Sequence, residues 1–176
     1  MSWALIEGEG IWVGVVVYAE RLREVILGEK REDVLCKINM EDRADSTSLL
    51  LTSIKRSLAL YLSGEKVDFF SYPLEMNISP SARRVLNEVR KIPYGQVRSY
   101  KWIAQRLGKR GYRAIGRILS INPLPIVIPC HRVIRADGNL GGFSSGINIK
   151  KKLLKLEGVL PDTLVSNIKL DIINYD

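Results

Sequence analysis

The chain has 176 residues, 46% apolar and 26% charged, an ordinary balance for a globular protein able to bury a sizeable core in one domain or two small ones. No apolar run reaches the ~18 residues of a membrane span. The N-terminal MSWALIEGEG lacks the basic start and apolar stretch of a secretion signal. Cys36 and Cys130 are the only cysteines and lie far apart, which suits free thiols in a cytoplasmic protein better than a disulfide scaffold.

The net charge of +8 is uneven. Residues 1–78 hold 9 Lys+Arg against 13 Asp+Glu, and residues 79–176 hold 18 against 6. A basic second half suits a polyanion, with nucleic acid slightly ahead of a merely solvated surface.

The first half reads as α+β. GIWVGVVVYAERLREVILG alternates Ile11, Val13, Val15 and Val17, then turns through charged residues into EVILG, which predicts a hairpin. Cys36, in VLCKI, reads as a small buried hydrophobe. STSLLLTSIKRSLALYLSGE offers hydroxyl caps, then Leu50, Ile54, Leu58 and Leu62 at four-residue spacing and a stop at Gly64, which predicts a helix. KVDFFSYPL reads as a strand, followed by a linker between Pro73 and Pro80. The expected domains are 1–75, an α+β companion with a sheet and helix, and 79–158, mainly helical, with a tail over 159–176. The tail either forms a final strand or covers a surface.

Ser79 as cap and Pro80 at the first helical position open a helix over SPSARRVLNEVRKI, closed before Pro93. SYKWIAQRLG and YRAIGRILSIN are two short helices joined through KRG, the pattern of a helix-turn-helix whose second member is the recognition helix. That second helix contains Ala114 and Gly116. Glycine inside a helix costs about 1 kcal/mol relative to alanine, so close approach of the helix backbone to another surface is expected. The surface is either a neighbouring helix or a DNA minor groove, where Leu119 would serve as an apolar wedge and Arg110, Arg113 and Arg117 would meet phosphates.

Next comes PIVIPCHRVI, residues 125–134. Pro123, Pro125 and Pro129 exclude a helix, so Cys130 is expected to follow an extended, stiff segment. A thiol becomes a nucleophile as thiolate, which needs a cation, a base or a helix N-terminus nearby. His131, the only histidine, is adjacent, but side chains of neighbours in an extended chain point to opposite faces. A bridging water or a local turn would be required. INIKKKLLKLEG reads as an amphipathic helix, with Lys150, Lys151, Lys152 and Lys155 on its basic side. Glu157 sits in its last turn, where the helix dipole disfavours a carboxylate. It is either paired with Lys152 or Lys155, or held there to orient His131.

Over residues 79–158 the chain closely resembles the O6-alkylguanine-DNA alkyltransferases. The resemblance rests on PCHRVI at 129–134 with INPLPIVIPC leading into it, VRSY at 97–100, YRAIGRIL at 112–119, GGFSSG at 141–146 and KKLLKLEG at 151–158. It implies a protein that rotates an alkylated guanine out of double-stranded DNA, bound through the minor groove, and moves the alkyl group to Cys130. In that scheme His131 takes the thiol proton through a water, Glu157 polarises His131, and Asn122 braces the segment between recognition helix and active site. Tyr100 crowds the target phosphate and bonds the flipped base, while Arg113 fills the vacated place in the stack. The Val133 carbonyl meets the guanine amine, and Phe143 and Ser144 belong to a lid loop. Ser81 and Lys101 fall at looser phosphate-contact positions, and Ala114, Gly116 and Leu119 form the groove-facing side.

Three departures from the family pattern accompany these matches. Phe143 stands where many members carry Tyr, Ser145 where glycine is frequent, and the stretch between Tyr100 and Arg113 is one residue shorter than in some relatives. The structural zinc site of some members is not expected, because the first half has no histidine and one cysteine. No cofactor is expected either: the GEG at 8–10 is too weak a sign of a loop for a methyl donor. A monomer is expected, with O4-alkylthymine as a further substrate class. The competing readings are a lesion-binding module without transfer and a helix-turn-helix regulator with a structural cysteine.

Overall fold

The structure, a computed structural model, describes residues 1–38, 48–108 and 111–161. It divides into two units, Met1–Asn77 with Pro123–Val127, and Ile78–Asn122 with Ile128–Asp176. Residues 109–110, with Arg110 of the expected turn, and the tail from 162 lie outside the described residues.

The first unit is a three-stranded antiparallel sheet in the order β1 (Ser2–Gly8), β2 (Ile11–Tyr18), β3 (Arg21–Gly28). Both connections are two-residue loops. Glu9 and Gly10 join Gly8 to Ile11, Ala19 and Glu20 join Tyr18 to Arg21, and all four loop residues have positive φ. That geometry matches the right-handed twist of the strands. The GEG sequence is therefore a hairpin turn.

Helix α1 (Arg31–Leu35) and helix α2 (Leu49–Leu62) cover opposite faces of the sheet. A Cβ at Gly8 would lie 2.7 Å from Leu62 Cβ of α2, and one at Gly14 would lie 2.5 Å from Val34 Cγ1 of α1. Two-sided cover explains why Ile11, Val13, Val15, Val16 and Val17 are all buried and why the period-2 alternation is blurred. Strand β1, absent from the sequence reading, pairs with β2 along its whole length.

Two expectations for this half are corrected. Residues 66–74 form no strand: beyond an isolated bridge between Leu74 and Leu22 the segment is irregular, and Phe69 sits among aromatic rings, 5.9 Å from Tyr61 and 6.2 Å from Tyr72 between centroids. Cys36 is exposed, because it caps α1 after the helix's single buried side chain, Val34.

The second unit opens with α3 (Pro80–Arg90), whose cap Ser79 accepts a hydrogen bond from Ala82 N–H. Ser99 likewise accepts from Trp102 N–H and starts α4 (Tyr100–Arg106); such caps contribute about 1 kcal/mol each. Helix α5 (Tyr112–Ser120) packs on α3 and α4, burying Ile115 and Leu119. The buried Glu88 of α3 pairs with Lys91 at 2.9 Å and with Arg106 of α4. Strand β4 (Arg98–Ser99) pairs in parallel with β5 (Val133–Ile134), and α6 (Ile147–Leu156) closes the described fold.

Gly14→Val should be poorly tolerated, since the added branches enter space held by Val34 and Ile38. Overpacking of this kind costs about 1–3 kcal/mol, and thermal unfolding should show a Tm several degrees lower; an unchanged Tm would contradict this packing.

Candidate active site

The segment leading to Cys130 is not extended. Residues 123–128 are bends and turns, and Ile126 is left-handed at φ 72°, a rare state for a β-branched residue. Pro129, at φ −79° and ψ 63°, makes an inverse γ-turn closed by Cys130 N–H donating to the Ile128 carbonyl at 2.7 Å. Cys130–Arg132 then form one turn of 3-10 helix. This is the local turn that the adjacent cysteine and histidine required.

Cys130 is 3% exposed, yet it lines a cavity of about 200 Å³ with Tyr100, Gly116, Leu119, Ser120 and the loop residues Gly142, Phe143 and Ser144. Asn122 Nδ2 donates both to Ile128 O at 2.9 Å and to Cys130 Sγ at 3.1 Å. Burial pushes the thiol pKa up, opposed by the Asn122 hydrogen bond, the charge of Lys150 and the backbone N–H groups of Cys130 and His131.

His131 is fully buried. Its Nε2 lies 2.8 Å from Glu157 Oε1. Burial lowers its pKa against the opposing pull of Glu157, which favours a neutral ring with Nε2–H donating to the carboxylate.

Glu157 is the C-cap of α6. Arg132 Nε donates to Oε2 and Arg132 Nη2 to Oε1, each at 2.8 Å. Gly95 N–H donates to Oε2 at 3.2 Å. Burial alone would raise the carboxyl pKa, but His131 and Arg132 outweigh it and hold it down at about 2. The fork of Arg132 is held in turn by Nη1 donating to Ile92 O at 2.6 Å. This use of Arg132 was not foreseen from the sequence.

The β4–β5 pairing carries Tyr100, the first residue of α4, to the same cavity. Its ring leans on Gly141, where a Cβ would meet Tyr100 Cε2 at 3.3 Å. Burial raises the Tyr100 pKa, as does the charge of Cys130, so its hydroxyl stays a donor. Beside the cavity lies a groove of about 490 Å³ whose lining includes Tyr100, Gly116, Lys101, Arg113, Tyr112 and Arg135. Of these, Tyr112 and Arg135 were not singled out as site residues in the sequence.

Other expected residues are placed differently. Leu119 is buried and forms cavity wall, so it is no projecting wedge. Among the described residues a Cβ built at Gly116 would come within 4 Å of Tyr100 of α4 alone, at an ordinary contact distance of 3.9 Å, so no close approach of that helix requires the glycine. Ala114 and Arg113 are exposed on α5. Ser81 lies on the first turn of α3, 3.1 Å from Ser79 Oγ, and lines neither space. Val133 is buried, and its carbonyl already accepts a hydrogen bond from Lys150 Nζ at 2.6 Å. Lys150 itself is fully buried, a correction to its place on the basic side of α6. The signal was available: Lys150 shares helical spacing with Leu153, Leu154 and Glu157.

Comparison with known proteins gives the family. Residues 80–159 match the family model described as 6-O-methylguanine DNA methyltransferase, DNA binding domain. A methylated-DNA–protein-cysteine methyltransferase of Methanopyrus kandleri is 48% identical over 111 residues, covering 63% of this chain and 83% of that protein. One from Sulfolobus acidocaldarius is 39% identical over 153 residues, covering 87% and 92%. Among solved structures, Mycobacterium tuberculosis OGT in complex with DNA superposes with a TM-score of 0.76 at 29% identity, covering 89% of this chain and 92% of that one. With a relative nearly half identical across most of its own length, the chain belongs to the methylated-DNA–protein-cysteine methyltransferases.

Proposed function

We propose that the chain repairs O6-alkylguanine in double-stranded DNA by taking the alkyl group onto Cys130 in one irreversible transfer. The observation that carries this is a cysteine on the wall of a base-sized cavity, hydrogen-bonded by Asn122 and followed directly by a buried His131–Glu157 pair. The thiol proton passes through a water to His131 Nδ1, the ring atom turned away from the carboxylate. The sulfur attacks the carbon on O6, and the C–S bond forms as the C–O bond breaks. The bond pair returns to guanine, which takes up the proton the thiol released. The thioether left on Cys130 has no good leaving group, so each molecule acts once.

The base reaches the cavity by leaving the stack, which costs a few kcal/mol and least for a weakened pair. The small residues Ala114 and Gly116 let α5 approach a minor groove closely. Arg113, exposed on the first turn of α5, takes the place of the extruded base, and Lys101 faces the phosphates from the same groove. Tyr100 donates to the flipped base, while Phe143 and Ser144 close over it from the loop.

Incubation with a duplex holding one O6-methylguanine should leave the Cys130 peptide one methylene heavier, and Cys130→Ala should show no gain; tight lesion binding with an unmodified peptide would favour a binding module. Arg113→Ala should weaken repair more than affinity for undamaged duplex, whereas equal losses would remove it from the stack. Glu157→Gln should slow transfer at neutral pH by about tenfold or more with duplex affinity intact. The Glu157 carboxyl falls from its usual 4.5 to about 2 on folding, so its stabilisation is complete above pH 4.5 and lost as pH falls through 2. Urea unfolding should therefore show wild type ahead of Glu157→Gln at pH 6 and level with it near pH 2.

A further inference from the structure

The groove beside the cavity holds an aromatic ring that the transfer scheme leaves idle. Tyr112, the first residue of α5, is 58% exposed and lines the groove of about 490 Å³. It stands one helical turn from Gly116, on the same face of α5, while the helix buries Ile115 and Leu119. Gly116, Tyr100 and Gly142 line both this groove and the smaller cavity at Cys130, so the two spaces adjoin at these residues.

The chemistry of the groove selects its occupant. Three cations line it, Lys101, Arg113 and Arg135, against one acid, Asp137. Arg135 and Asp137 are 4.0 Å apart and largely exposed, a pairing too weak to use up the guanidinium. The groove therefore attracts an anion. Tyr112 adds a flat apolar face with a polar tip. A ring set among exposed cations fits a base attached to its phosphate, because the ring stacks on the base and the cations meet the backbone. A bare phosphate leaves the ring unused, and an alkyl chain leaves the charges unused.

We propose that Tyr112 forms a second base site, stacking on the nucleotide next to the flipped guanine in the same strand while Lys101 and Arg135 meet the phosphates beside it. This rests on the alkylated guanine occupying the Cys130 cavity. Since the groove adjoins that cavity, the strand that delivers the lesion to one passes through the other. Stacking on Tyr112 replaces the stack that the neighbouring base loses when the guanine leaves, which lowers the cost of extrusion. The contacts need no complementary strand, so single-stranded DNA fills the site as duplex does.

The test uses the full chain. In a Cys130→Ala background, which binds without transfer, affinity for a single-stranded oligonucleotide with one O6-methylguanine should fall about fivefold to a hundredfold in Tyr112→Ala and return in Tyr112→Trp. An abasic residue placed at the 5′ or the 3′ neighbour of the lesion should weaken binding by the protein with Tyr112 at one of these positions and leave Tyr112→Ala indifferent there. Unchanged affinity in a folded Tyr112→Ala, or equal sensitivity of both proteins at both positions, overturns the proposal. Should Tyr112→Ala not fold, photocrosslinking of wild type decides: 5-iodouracil at each neighbour in turn should attach to the peptide holding Tyr112, and crosslinks confined to other peptides overturn the proposal. A wild-type protein that stacks by these measures but leaves Cys130 unmethylated would remove the transfer reading and leave the base site standing.

Discussion

A single carboxylate in a place hostile to it organises the second unit. Glu157 caps the C-terminus of α6, where the helix dipole repels negative charge, and its side chain is fully buried. An ion removed from water is tolerated only when its lone pairs are filled. Here they are, by the two arms of Arg132, by His131 and by the Gly95 amide. The planar fork of Arg132 fixes direction as well as distance, and its remaining arm holds the Ile92 carbonyl. Tyr94 adds a bond from its hydroxyl to Leu156 O at 2.9 Å. The loop after α3, the 3-10 turn and the end of α6 are thereby fixed around one point, and Cys130 immediately precedes His131 and Arg132, both held there.

The nucleophile is built by turns rather than by regular elements. The inverse γ-turn at Pro129 and the 3-10 turn after it bring Cys130 to the cavity while His131 is held on the carboxylate. Asn122 joins the two stretches by bonding both Ile128 O and the sulfur. Polar groups in a dry setting interact more strongly than they would in water, so the burial that opposes ionisation of the thiol also sharpens the interactions that favour it. Tyr100 arrives from a different part of the chain through the short parallel pairing of β4 and β5. Gly141 admits its ring by lacking a side chain.

Much of this was legible in sequence. The β2–β3 hairpin, the capped helices α2 and α3, and the grouping of Cys130, His131, Asn122 and Glu157 followed from periodicity, caps and family motifs. Strand β1 was not legible because a sheet covered on both faces loses the alternation that marks a strand. Residues 66–74 misled in the opposite sense: Phe69 and Phe70 have strand-like composition, but Phe69 serves a ring cluster. Arg132 and Lys150 were hidden by their charge, which is normally read as solvent-facing. Only for Lys150 did position contradict charge, since its helical spacing places it with Leu153 and Leu154. The extended reading of 123–129 failed because proline excludes helix without requiring extension.

The first unit includes Pro123–Val127, with Val25 N–H of β3 donating to Pro123 O at 2.8 Å. The polypeptide departs from the reactive half after Asn122, threads five residues through the acidic half, and returns at Ile128, two positions before the sulfur. Excising residues 1–77 would therefore not detach a passive appendage. It would strip the partners from the short excursion that sets the spacing between the asparagine brace and the cysteine it touches.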